Sequence, residues 1–158
     1  MKFLKKYFCR YMSRHTCVDI ESLIELLFLN VHQIKMIQVG ANDGVLCDPL
    51  YKYVVNQKLT GIMLEPQKEV FGRLLENHNR SRGVFFENVA LGNQDGSAFI
   101  YRVDPALIER YKDLGGVASF DKGHVKKEIS ASKKRLQLDI KEIDTYIISE
   151  LVDVVTYK

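Results

Sequence analysis

Cysteine is scarce in this chain, and the three present, Cys9, Cys17 and Cys47, leave an odd count. Their spacing matches no metal-ligand pattern. This argues against a disulfide scaffold and against a metal site, and it fits buried thiols in a reducing, cytoplasmic setting. Long hydrophobic runs are also missing. No stretch approaches the roughly 20 apolar residues that a helix needs to span a bilayer. None supplies the continuous apolar core that follows the basic start of a signal peptide. Asn79-Arg80-Ser81 fits a glycosylation triplet, but such triplets arise often by chance and nothing else points to secretion. Charge of one sign is not in large excess. The net charge of +3 is too small to argue for a nucleic-acid partner. No repeat or low-complexity tract is visible. What remains is ordinary for a globular α/β protein: 158 residues, 46% hydrophobic and 27% charged, enough for one domain or part of one.

The first 33 residues read as an N-terminal helical segment ahead of a domain over 34–158. Met1 to Arg14 carries Lys2, Lys5, Lys6, Arg10 and Arg14 and no acid. Phe3, Leu4, Tyr7, Phe8, Tyr11 and Met12 recur at helical spacing. A basic amphipathic helix of this kind can touch an anionic membrane surface. The commoner role of such a stripe is packing on the domain that follows. Asp19 to Val31 is a second helical stretch, with Ile20, Leu23, Ile24 and Leu27 on one face and Glu21 and Glu25 on another.

From Ile34 onward strand and helix signals alternate. Ile34–Val39 reads as a strand. Asp48-Pro49 opens a helix, with Asp as cap and Pro in the first turn, and Leu50, Tyr53 and Val54 form its buried side. Gly61–Leu64 is a strand. Gln67–His78 is a helix with Val70, Phe71, Leu74 and Leu75 inward, and Val84–Ala90 is a third strand. Alternation of this kind implies parallel strands joined by right-handed crossovers, hence a Rossmann-like, mostly parallel, doubly wound sheet with flanking helices. Beyond a turn at Gly92–Gly96, Ser97–Val103 is extended and Ala106–Asp113 is helical up to Gly115-Gly116. Asp121–Arg135 is a lysine-rich polar stretch. Leu136, Leu138 and Ile140 alternate as in a half-exposed strand, Asp144–Glu150 reads as a short helix, and Val152–Tyr157 as a strand. A parallel sheet that stops on so apolar a strand leaves an open edge, and the domain is expected to be incomplete at its C-terminus.

Two motifs carry chemistry. Ile37-Gln38-Val39-Gly40-Ala41-Asn42-Asp43-Gly44 ends an apolar run in a glycine turn. Gly61-Ile62-Met63-Leu64-Glu65-Pro66 ends the next run in a lone carboxylate, 25 residues after Gly40. In an α/β sheet the first lets backbone approach a ligand, and the second accepts hydrogen bonds from ribose hydroxyls. Gly40-x-x-x-Gly44 lacks the G-x-G-x-x-G rhythm that cradles a pyrophosphate, which favours a nucleoside over a dinucleotide. Asn42-Asp43-Gly44 is also a hairpin signal, but the return strand would be only Val45-Leu46 before Asp48-Pro49 starts a helix. Asn88 to Ala90, at a third strand end, either closes that strand or borders an adenine ring. His124, among lysines, is a solvated loop residue or a general base facing an anionic substrate.

These residues, with Asn88-Val89-Ala90-Leu91-Gly92 and Ala118-Ser119-Phe120-Asp121, resemble the FkbM family of class I S-adenosylmethionine-dependent methyltransferases, from about Ile34 to the C-terminus. The resemblance implies O-methylation of a hydroxyl on a sugar, glycan precursor or small natural product. It implies S-adenosylmethionine as cofactor, no metal, and a small-molecule or sugar acceptor rather than nucleic acid. By position, Gly40, Ala41, Asn42 and Gly44 would surround the methionine half of the cofactor. Glu65 would hold its ribose, and Asn88 and Val89 would flank its adenine. Gln38 sits where many methyltransferases have an acid contacting the cofactor's amino group. The family's Asp-x-Glu-Gly-like strand end is expected just after Tyr157-Lys158 and is not in this sequence. Two other readings stand beside this one: a truncated, non-catalytic nucleoside-binding or interaction module, and an NAD-dependent oxidoreductase, which the missing third glycine disfavours.

Overall fold

The computed structural model describes residues 20–29, 31 and 33–156. The basic aromatic helix expected over 1–14, Cys9, Cys17 and the last two residues lie outside the described residues. The described chain is α/β and divides into two compact units, with the boundary between Asn88 and Val89. Among the described residues, no helix is long and apolar enough to cross a membrane.

The first unit contains α1 (Ile20–Phe28), β1 (Ile34–Val39), α2 (Tyr51–Val55), β2 (Leu59–Leu64), α3 (Lys68–Asn77) and β3 (Val84–Glu87). Its three strands form one parallel sheet in the order β1-β2-β3, as the strand–helix alternation requires. Leu59 and Met63 of β2 and Val84 of β3 pack with Tyr53 and Val54 of α2 and Leu74 of α3 in the main core cluster. Gly61 lies opposite Met36 in the β1–β2 register. Its φ is +142°, and a Cβ there would lie 1.9 Å from the Met36 carbonyl oxygen, so only glycine fits.

Local details differ from the sequence expectations. The helix expected from Asp48 starts at Tyr51, because Asp48 Oδ1 accepts from the Leu50 amide at 2.8 Å and closes a turn first. In α3 the buried line is Val70 and Leu74, spaced i, i+4, and Leu75 is exposed rather than inward. In α1 only Ile24 of the expected apolar face is buried, while Ile20, Leu23 and Leu27 are exposed. The helix is tied down by its polar face instead. Tyr53 Oη donates to Glu25 Oε1 at 2.7 Å, and Lys52 pairs with Glu21 at 3.1 Å. The tyrosine's hydrogen bond holds the Glu25 carboxyl below its ordinary range. Burial pushes the Tyr53 phenol up.

The second unit holds β4 (Ala90–Leu91), β5 (Gly96–Val103), α4 (Pro105–Arg110), β6 (Ala118–Ser119), α5 (Lys122–Leu136) and β7 (Ile147–Val155). Its sheet is mixed, in the order β4-β7-β5-β6, with β5 antiparallel to β7 and β4 parallel to it. The single strand expected over 84–90 is therefore broken at Asn88-Val89, because Ala90 and Leu91 pair with Val154 and Val155 in a different sheet. The lysine-rich stretch is a helix. Asp121 Oδ1 caps it by accepting from Gly123 N at 2.7 Å, and Val125, Ile129 and Ser132 are its buried line at i, i+4, i+7. The strand expected over 136–140 does not form. The helix runs through Leu136 and stops at Gln137 with φ +53°, and Leu138 and Ile140 pack into the α5 core without a partner strand. The helix expected over 144–150 is only a 3₁₀ turn, Ile143–Tyr146. From Ile147 the β-branched run joins β7, whose buried Val152 and Val154 alternate with the exposed Leu151, Asp153 and Val155.

The β4–β5 turn is fastened to the end of β7. Asp95 Oδ1 accepts from the amide of Thr156 at 2.6 Å and from its Oγ1 at 2.8 Å. These bonds hold the Asp95 carboxyl below its ordinary range.

Two outcomes follow from this architecture. Gly61→Ala should lower unfolding free energy by about 3 kcal/mol, from the strained φ and the backbone clash. Gly72→Ala, in α3 with open space at its Cβ, should raise it by roughly 0.5–1 kcal/mol. Urea denaturation of both variants checks the contrast, and equal effects would contradict the β1–β2 register. For Asp95, the lowered folded value means that its stabilisation is complete above the unfolded carboxyl's titration near about pH 4 and is lost as pH falls through the folded value. The melting temperature of Asp95→Asn should therefore lie below wild type at pH 7, with the gap closing at the acid end. A gap independent of pH would show that the carboxylate charge plays no part.

Candidate functional site

The parallel register places Val39 opposite Leu64, and Leu64 opposite Glu87. The residues that follow, Gly40, Glu65 and Asn88, therefore leave three neighbouring strands at the same, carboxyl end of one sheet. This is where ligands sit in open parallel sheets.

The segment after β1 bends at once. Gly40 N and Ala41 N both donate to Leu64 O at 2.9 Å, which continues the ladder for one residue and then turns the chain. Gly40 has φ +69° and Asn42 has φ +53°. Gly44 N closes the turn on Ala41 O at 3.0 Å. Asp43 Oδ1 then accepts from Val45 N at 3.0 Å and Leu46 N at 2.7 Å. The hairpin alternative is absent: no strand pairs back onto β1 from residues 45–46.

Glu65 is only 3% exposed. Its Oε2 accepts from Asn42 N at 2.9 Å. Its Oε1 accepts from Gln67 N at 3.0 Å and from Gln67 Nε2 at 3.3 Å. Its own amide donates to Glu87 O at 3.1 Å. A buried carboxylate is tolerable when N–H dipoles surround it, and here both oxygens have them. Asn88 completes the turn after β2, with Nδ2 donating to Glu65 O at 2.8 Å and Pro66 O at 3.0 Å. Gln38 Nε2 donates to Asp48 Oδ2 at 3.2 Å, while Gln38 Oε1 is buried and has no hydrogen-bond partner among the described residues.

The two loop glycines play different parts. A Cβ on Gly44 would lie 2.4 Å from His78 Nε2 and 2.6 Å from Leu74 Cδ1, so this glycine admits the α3 side chains. A Cβ on Gly40 would meet nothing within 4 Å. Among the described residues Gly40 thus has open space at its Cβ position, whereas Ala41 is buried in the core.

The structure thus gathers Gln38, Gly40, Ala41, Asn42, Gly44, Glu65 and Asn88 at one sheet end in the first unit. Val89 and His124 belong to the second unit. His124 is an exposed residue in the first turn of α5. Sequence reading missed Gln67, Asp43, Asp48, Asn77 and His78. Asp43 had a signal, since Asx turns favour Asn-Asp-Gly segments. His78 had none, because it lies 34 residues from the carbonyl it meets. Among the described residues, no group of three His, Cys, Asp or Glu side chains could hold a metal.

The donors and acceptors of this constellation are unequal. The amides of Asn42, Gly44, Val45 and Leu46 are engaged within the first unit. Asp43, Asp48 and Glu65 supply carboxylates, and Gln38 supplies an acceptor that has no partner among the described residues. Such a surface suits ligand groups that donate hydrogen bonds or carry positive charge. It does not suit a pyrophosphate, which needs free N–H groups.

No protein-family model matches the chain, and neither a curated protein nor a solved structure matches it.

Removing the buried carboxylate strands at least two N–H groups. Glu65→Ala should lower unfolding free energy by about 3 kcal/mol. A loss below about 1 kcal/mol in urea denaturation would mean that the carboxylate does not hold the loop.

Proposed function

We propose that this chain is the cofactor-binding part of an S-adenosylmethionine-dependent O-methyltransferase of Rossmann-like design, acting on a hydroxyl of a sugar, glycan precursor or small natural product. The observation that carries the reading is the acceptor-rich, phosphate-excluding turn at residues 40–46 beside the buried Glu65. S-adenosylmethionine carries a sulfonium, an ammonium and two ribose hydroxyls, and has no phosphate. Its donor and cationic groups are those that this set of acceptors would take. NAD presents a pyrophosphate, and the loop amides of Asn42, Gly44, Val45 and Leu46 are already bonded. The β1-β2-β3 order is also that of one half of a doubly wound nucleotide-binding sheet, which supports the finer fold assignment.

Within this reading each residue has a task. Gly40, with no neighbour at its Cβ position, lets the cofactor approach the backbone. Gln38 Oε1, buried and without a partner among the described residues, would accept from the amino group. Glu65 would receive a ribose hydroxyl in place of the Gln67 side-chain amide, the longest of its bonds at 3.3 Å. Asn88 keeps the turn after β2 in shape through its two carbonyl contacts. The cofactor, when bound, supplies an activated methyl group. The protein's part is to hold that group in line with the acceptor oxygen, and alignment of this kind contributes on the order of 7–11 kcal/mol.

The second reading is a non-catalytic module, and the three hydrogen bonds to Glu65 favour it. A carboxylate so fully engaged serves the loop whether or not a ligand comes. Calorimetry separates the two. Wild type should bind S-adenosylmethionine and S-adenosylhomocysteine and give no heat with NAD. Gly40→Ala should weaken S-adenosylhomocysteine by roughly tenfold, about 1.4 kcal/mol, while the left-handed φ costs about 1–2 kcal/mol of stability. Absence of binding by wild type, or unchanged affinity in Gly40→Ala, would defeat the cofactor reading.

A further inference from the structure

The buried histidine among the described residues belongs to neither motif. His78, at the C-terminal end of α3, is 2% exposed. Its Nε2 lies 3.3 Å from Gly44 O and its Nδ1 lies 3.1 Å from Ser81 Oγ. A carbonyl only accepts, so Nε2 carries the proton, and Nδ1 accepts from the Ser81 hydroxyl. The ring is boxed by Tyr51, edge-on at 5.4 Å between centroids, and by Phe86 at 5.8 Å. The neighbouring Asn77 donates from Nδ2 to Asp43 O at 2.8 Å. Two consecutive carbonyls of the turn, those of Asp43 and Gly44, are thus gripped by two consecutive side chains from the end of α3. The Cβ-free face of Gly44 is what admits the imidazole.

The turn is therefore held from two directions. Glu65 takes the amide of Asn42 from the β2 side. Asn77 and His78 take the next two carbonyls from the α3 side. Gly40 lies ahead of both grips and has free space at its Cβ position among the described residues. A turn fixed before the ligand arrives loses less conformational freedom on binding.

We propose that His78, assisted by Asn77, is a positioning residue for nucleoside binding: it pre-forms the 40–46 turn through the Gly44 carbonyl and raises affinity without touching the ligand. The inference rests on the cofactor reading above and deepens it. It differs from a purely structural role in one respect. Any donor that reaches the Gly44 carbonyl restores affinity, whatever it does to packing against Tyr51 and Phe86.

The test uses the 158-residue chain and two readouts. Amide hydrogen exchange without ligand reports the clamp, and calorimetry with S-adenosylhomocysteine reports its consequence. His78→Ala should speed exchange at Asn42, Val45 and Leu46 by at least tenfold relative to β2 amides, and weaken S-adenosylhomocysteine by roughly tenfold. His78→Gln, whose amide can donate to the same carbonyl, should recover affinity to within about threefold of wild type. Asn77→Ala, at an exposed position, keeps the fold and should produce a smaller shift of both readouts in the same direction. Should His78→Ala unfold, Asn77→Ala and His78→Gln decide alone. Unchanged exchange at Asn42, Val45 and Leu46 in Asn77→Ala and His78→Ala overturns the clamp. Faster exchange with unchanged affinity overturns positioning and leaves a structural residue. If wild type binds no nucleoside while exchange still responds to His78, the cofactor reading fails, and the positioning role fails with it.

Discussion

The carboxylate of Glu65 is the constraint on which the candidate site depends. It sits at the end of β2, almost fully removed from water, with backbone and side-chain N–H groups on both of its oxygens. An anion in that position is stable only if N–H groups converge on it, and they come from two directions: Asn42 in the turn after β1, and Gln67 at the start of α3. The charge thus dictates where the turn goes. A neutral side chain at 65 would leave the Asn42 amide without its charged acceptor, and the turn would be tied to β2 only through the Leu64 carbonyl. The Gln67 contacts at the same time anchor the first residue before α3. One ionised group sets the loop on one side and the helix on the other.

That arrangement explains why so much of the first unit was legible in the sequence and so little of the second. In 34–87 strands and helices alternate, and the order fixes a parallel sheet with its tips at Gly40, Glu65 and Asn88. The strand-end acid and the glycine turn were visible for the same reason. The second unit turns on competition between patterns of similar strength. Leu136, Leu138 and Ile140 alternate like a strand, but Val125, Ile129 and Ser132 commit the preceding residues to a helix whose last turn reaches Leu136. Ile147 to Val155 looked like a helix followed by a strand until its partner β5 was known. The break at Asn88-Val89 had no local signal at all, since it depends on Ala90 and Leu91 pairing with residues some 64 positions later.

The glycines illustrate a related limit. Both loop glycines looked like ligand-facing residues, and their φ values are nearly the same. Their environments are opposite. Gly44 is pressed against His78 and Leu74, and its missing side chain is explained by packing alone. A Cβ on Gly40 would meet nothing among the described residues, so only its backbone angle is accounted for from within them. A spacing in sequence cannot tell these cases apart, because the neighbour that decides between them comes from α3.

This difference bears on what the turn is able to recognise. Backbone amides at a strand-to-helix turn form an anion site when they are left unpaired. Here Asp43 takes two of them, Ala41 O one and Glu65 one. The protein's own acids and a carbonyl occupy the places where phosphate oxygens would sit, so phosphate would have to break four hydrogen bonds to enter. The acceptors of the site have the opposite preference. Gln38 shows the bias most plainly. Its amide nitrogen is committed to Asp48, and reversing the amide would bring oxygen against carboxylate. The buried Oε1 is therefore fixed as an acceptor, and among the described residues it has no donor, a deficit that an arriving N–H or O–H group would remove.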